Sequence, residues 1–71
     1  MLEKRSFALS GHRTSIALEP EFWEALGALA VAEGATLTAL VTRIDAARAD
    51  GQPLASALRV FALLHHGASR A

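Results

Sequence analysis

Arg13-Thr14-Ser15-Ile16-Ala17-Leu18-Glu19-Pro20-Glu21-Phe22-Trp23 changes its periodicity part-way along. Up to Leu18 the residues alternate, with Thr14, Ile16 and Leu18 on one face of a strand and Arg13, Ser15 and Ala17 on the other. Pro20 cannot donate to a sheet ladder, but its fixed φ suits the first position of a helix. Glu21 and Glu24 then lie near the positive end of the helix dipole. A strand over about 13–19 therefore runs almost without a loop into a helix over about 20–33. A lone strand leaves a row of backbone donors and acceptors without partners, and so short a chain has few strands to offer. A second copy of the chain is the simplest remedy.

Working outward, Ser6-Phe7-Ala8-Leu9-Ser10 also alternates, which suggests a preceding strand over about 5–10. Gly11-His12 would close it as a type II′ hairpin with Gly first, pairing Ser10 with Arg13, Leu9 with Thr14 and Phe7 with Ile16. In that register the apolar residues of both strands share a face. In the first helix Phe22, Leu26, Leu29 and Ala30 form the buried stripe, Trp23 lies off it, and Gly34 is the stop. Gly27 costs about 1 kcal/mol relative to Ala inside a helix, which a close backbone contact would explain. Thr36 caps a second helix over about 36–49 with Leu37, Leu40, Val41, Ile44 and Ala47 on one face. Gly51 and Pro53 separate a third, over about 54–66. It has Leu54, Ala57, Leu58, Phe61 and Leu64 in its stripe, Val60 and Leu63 broadening it, and Gly67 past its end. A helix so apolar wants cover from a partner. Ser69-Arg70-Ala71 reads as a frayed tail.

Composition bounds the reading. The 71 residues suit one domain, and none is cysteine, so there is no disulfide framework and no thiolate metal site. The N-terminus lacks an apolar signal region and no apolar run reaches membrane-spanning length, so a soluble cytoplasmic protein is the default. Net charge is zero, against the usual balance of a nucleic-acid binder. Its distribution is uneven, because Lys4, Arg5 and Arg13 face Glu3 alone within residues 1–15.

The order strand, helix, Gly-containing turn, helix resembles the ribbon-helix-helix DNA-binding family, to which the Arc and methionine repressors belong. More narrowly, Gly11-His12-Arg13-Thr14-Ser15-Ile16 followed by Leu18-Glu19-Pro20-Glu21-Phe22-Trp23-Glu24-Ala25-Leu26 is similar to a bacterial branch of such proteins, as is Ser56-Ala57-Leu58-Arg59-Val60-Phe61. The likeness spans about residues 4–64. It implies a mainly α fold with a short N-terminal β element, an intertwined homodimer with an additional C-terminal helix. The dimer core would hold Ile16, Leu18, Phe22, Leu26, Leu40, Val41 and Ile44.

In such a dimer two antiparallel strands enter the major groove of duplex DNA. Arg13 would bond guanine, Ser15 either kind of base, and Ala17 a thymine methyl. The resemblance implies that the start of the second helix, at Thr36, Leu37 and Thr38, holds backbone phosphate, as helix N-termini can. Lys4 and Arg5 would add phosphate contacts from a flexible arm. This reads as a repressor-like transcription regulator. The alternative is a dimeric interaction module with little or no DNA binding, docking a protein through the third helix. With both strands in a dimer, four strands at about 4.8 Å spacing span roughly 14 Å, against a major groove about 12 Å wide. Either the first strand then peels away on DNA or the sheet serves another purpose.

Other chemistry is sparse. His65-His66 point about 100° apart on a helix, which does not favour a shared metal, and His12 fits a turn. No catalytic arrangement is suggested, and neither cofactor, metal nor membrane is implied.

Overall fold

The computed structural model describes residues 1–68, so the Ser69–Ala71 tail lies outside the described residues. The elements are β1 (Glu3–Leu9), β2 (His12–Leu18), α1 (Pro20–Ala32), α2 (Leu37–Ala47) and α3 (Leu54–Ala68). β1 and β2 form an antiparallel pair. The premise that β2 has no partner within its own chain is thereby corrected: β1 satisfies one of its edges.

The hairpin also corrects the expected register. Leu9 pairs with His12, Ala8 with Arg13, Phe7 with Thr14 and Arg5 with Ile16, so the turn is Ser10-Gly11 rather than Gly11-His12. Ser10 (φ 50) and Gly11 (φ 83) both take positive φ, the pattern of a type I′ turn, whose twist matches that of the strands. The slip is two residues, which moves partners but leaves every side chain on its face. Phe7, Leu9, Ile16 and Leu18 are accordingly all buried on one side of the sheet.

Pro20 occupies the first turn of α1, and the Glu19 carbonyl accepts from the N–H groups of Phe22 and Trp23. The helix ends in a Schellman motif about Gly34 (φ 70), with Ala35 N–H donating to Ala30 and Gly34 N–H to Val31. On α1 the expected order of the two aromatics is reversed. Trp23 is buried, 2% exposed, and Phe22 only half-buried. Trp23 lies under β1, where its Nε1–H donates to the Glu3 carbonyl at 2.8 Å, its ring sits 5.7 Å from that of Phe7, and the Arg5 guanidinium lies 5.1 Å above it. Gly27 meets no close backbone either: a Cβ added there finds nothing within 4 Å.

Thr36 caps α2, its Oγ1 accepting from Ala39 N–H at 3.0 Å. Leu40, Val41 and Ile44 are buried, as are Ala57, Leu58 and Ala62 of α3. α3 packs on α1, α2 and β2, and it continues through Gly67 rather than ending before it. Of the residues expected in a core shared by two copies, Ile16, Leu18, Leu26, Leu40, Val41 and Ile44 are buried within one chain, and Phe22 packs against the same core.

α3 is tied to the strand–helix junction by Arg59, whose Nε lies 3.0 Å from Glu19 Oε1. Glu19's own backbone N–H and then Arg59 hold this carboxyl below the usual carboxylate range. A depressed carboxyl adds stability that is present above its unfolded pKa and lost as pH falls through the folded one. In acid denaturation series, Glu19→Gln should therefore flatten the acid-side decline by a small amount, since the pair is partly exposed. Identical slopes for parent and variant would count against the coupling.

Candidate nucleic-acid interface

The outward face of the hairpin collects one kind of chemistry. Pairing of Lys4 with Ala17, Ser6 with Ser15 and Ala8 with Arg13 places all six side chains on the side away from the core. Five of them are exposed and Ala17 is half-buried. The hydroxyls of Ser6 and Ser15 lie 3.1 Å apart across the strands. A cation stands at each end of this face, Arg13 by the turn and Lys4 by the junction with α1. It carries no carboxylate.

These two cations differ from the other four Lys and Arg side chains among the described residues. Arg5 is held by Glu3, Arg43 by Glu33, Arg48 by Asp45 and Arg59 by Glu19. Lys4 and Arg13 enter no ion pair among the described residues, so the field of the outer face is not neutralised locally. Zero net charge conceals this, because the compensating acids sit elsewhere.

The expected site residues are therefore divided. Arg13, Ser15, Ala17 and Lys4 come together on the outer face. Lys4 and Arg5 are not a flexible arm but consecutive residues of β1, and consecutive strand residues point to opposite sides. Arg5 is turned to the Trp23 side, where Glu3 and the indole occupy it. At the start of α2, Thr38 is exposed, Leu37 half-buried, and the Thr36 hydroxyl is engaged in its own cap. No hydrogen bond joins this helix start to the sheet face among the described residues.

Ser6 and Ala8 were not among the residues anticipated from the sequence. The signal for them was present: they alternate in phase with Arg13, Ser15 and Ala17 in either register. Among the described residues no group of three or more His, Asp or Glu side chains is placed to hold a metal ion. No single described helix is long and apolar enough to cross a membrane.

A family model described as a ribbon-helix-helix domain matches residues 2–66. No curated protein and no solved structure matches the chain. Domains of this family are generally non-enzymatic, DNA-binding transcription regulators that typically homodimerise. An N-terminal antiparallel strand pair followed by helices fits that architecture. With the match extending over all five elements but the last two residues of α3, the chain belongs to the ribbon-helix-helix domain family.

Proposed function

We propose that the chain is a sequence-specific DNA-binding transcription regulator of the cytoplasm, acting as a homodimer through a β-ribbon in the major groove. The observation that carries this reading is the outer sheet face. It is small-residued and free of acids, and it holds the two cations that no carboxylate pairs among the described residues. Arg13 reads guanine O6 and N7, Ser15 bonds a base edge and Ala17 lies against a thymine methyl. Lys4 and the α2 start at Thr36, Leu37 and Thr38 contact phosphate, the latter through backbone amides and the Thr38 hydroxyl. Arg5 is left out, since its guanidinium is committed to the opposite side.

Arg13→Ala tests this reading. On a duplex selected from a random DNA pool, the variant should lose about 1–3 kcal/mol of binding free energy and its preference at one position. Anisotropy titrations giving equal affinity for parent and variant would overturn the assignment.

A second reading is favoured by α3. Val60, Leu63 and Leu64 are exposed, Leu63 by 72%, and an open groove of about 270 Å³ runs between α2 and α3, lined by Ile44, Ala47, Ala57, Val60, Phe61 and Leu64. On this reading the chain is a dimeric interaction module that docks a protein on that face. The dependence of DNA affinity on salt separates the two.

A further inference from the structure

The surfaces assigned to DNA under the reading above are the outer sheet face and the start of α2, and both must meet one duplex at once. Their relative tilt passes through a junction one residue long, since β2 ends at Leu18 and α1 begins at Pro20. Leu18 is paired with Glu3 and the proline ring fixes the φ of Pro20, which leaves the torsions of Glu19 (φ -60, ψ 144) to set the turn. Burial of Phe7, Leu9, Ile16 and Leu18 keeps the sheet on the core, but apolar burial is non-directional and does not by itself choose the tilt.

Glu19 is gripped at both ends. Its carbonyl accepts from the N–H groups of Phe22 and Trp23, at 2.9 and 3.3 Å, which ties its backbone to α1. Its carboxylate accepts from Arg59 Nε at 3.0 Å, which ties its side chain to α3, 40 residues away in sequence. The Arg59 guanidinium also stands 5.9 Å from the centroid of the Phe22 ring, so one planar cation reaches both the strand end and the first turn of α1. Arg59 is steadied in turn by Leu58 and Ala62 beside it on α3, both buried. The other ion pairs among the described residues join Glu3 to Arg5, Glu33 to Arg43 and Asp45 to Arg48, and none of them reaches the junction. Resting on the DNA-binding reading, we propose that Arg59 is a positioning residue for DNA recognition. Acting through Glu19, it fixes the tilt of the hairpin against the helices, so that α3 serves recognition without touching the duplex.

The test uses Arg59→Ala, Glu19→Gln and the double variant, each titrated against the selected duplex and against a random one. Both side chains are partly exposed, so all three should keep the parent's circular dichroism. A partly exposed ion pair shifts an equilibrium by about threefold, and two copies act on one duplex, so each variant should lose about tenfold in preference for the selected duplex. The ratio of the two affinities cancels the charge each substitution removes, which acts on both duplexes alike. The double variant should lose no more than either single one, because the same contact is broken in all three. The salt slope of Arg59→Ala should stay that of the parent, whereas a slope shallower by about one per copy would make Arg59 a phosphate contact and overturn the proposal. An unchanged preference, or losses that add in the double variant, would overturn it too. Residual dipolar couplings of the backbone amides report the tilt without DNA. In the parent, hairpin and helices should fit one alignment tensor, and in Arg59→Ala the hairpin should depart from it. A single tensor for both proteins would leave Arg59 a stabilising role only and overturn the proposal. A parent that prefers no duplex at all would instead sink the DNA-binding reading, a result told apart by the couplings, which need no DNA.

Discussion

Trp23→Ala should cost about 3–5 kcal/mol of folding stability, the range for emptying a buried aromatic site. A domain of this size has roughly 4–11 kcal/mol in total, at about 0.05–0.15 kcal/mol per residue, so the variant would sit near the edge of folding. The magnitude rests on three losses at one position: the packing of a fully enclosed indole, the hydrogen bond to Glu3, and the ring contacts with Phe7 and Arg5. Urea denaturation followed by circular dichroism measures it, since the substitution removes the fluorophore. Phe22→Ala is the matched comparison. Phe22 is half-buried and carries the Arg59 guanidinium 5.9 Å from its ring centroid, so its removal should cost clearly less. If Phe22→Ala proved the more damaging of the two, the packing of α1 described above would be wrong.

DNA affinity should fall roughly ten- to hundredfold between about 50 and 200 mM salt, a slope equivalent to two to four neutralised phosphates. The lower figure counts Lys4 alone in each of two copies, since Arg13 is assigned to a base edge, and the upper adds Arg13; these are the cations that no carboxylate pairs among the described residues. The steep slopes of strongly basic proteins are not expected from a chain whose charges sum to zero. Association through Val60, Leu63 and Leu64 would instead respond weakly to salt, because apolar burial involves no counterion release. Titrations at four or five salt concentrations decide the matter. A flat profile for DNA, with a protein partner retained, would favour the docking module.

What could be read in the sequence followed from signals with one physical meaning. Pro20 marks the change from strand to helix, Gly34 supplies the positive φ that ends α1, and Thr36 offers the hydroxyl that caps α2. Leu40, Val41 and Ile44 face inward because the opposite face of α2 is polar, so its stripe is unambiguous. α1 gave no such contrast. It is apolar nearly all round, and which of two adjacent aromatics goes inside depends on where β1 lies, which helical periodicity does not encode. The hairpin register failed for a related reason. A shift of two residues preserves both faces, so only the turn chemistry of Ser10-Gly11 distinguishes the alternatives, and serine is not a usual residue at positive φ. The outer face was half legible. Arg13, Ser15 and Ala17 follow from alternation in β2, whereas the addition of Lys4 and the diversion of Arg5 required knowing that β1 is a strand reaching back to Glu3.

A core that closes inside one chain separates two events that are a single event in an obligate dimer. If each chain keeps that core without its partner, folding of the subunit is a unimolecular equilibrium and association a second one governed by mass action, so that the melting temperature need not track protein concentration. Under the proposed function, dilution would then yield monomers that are still folded. Two such monomers meeting on adjacent half-sites would assemble on the operator itself, and occupancy would rise with the square of the free monomer concentration.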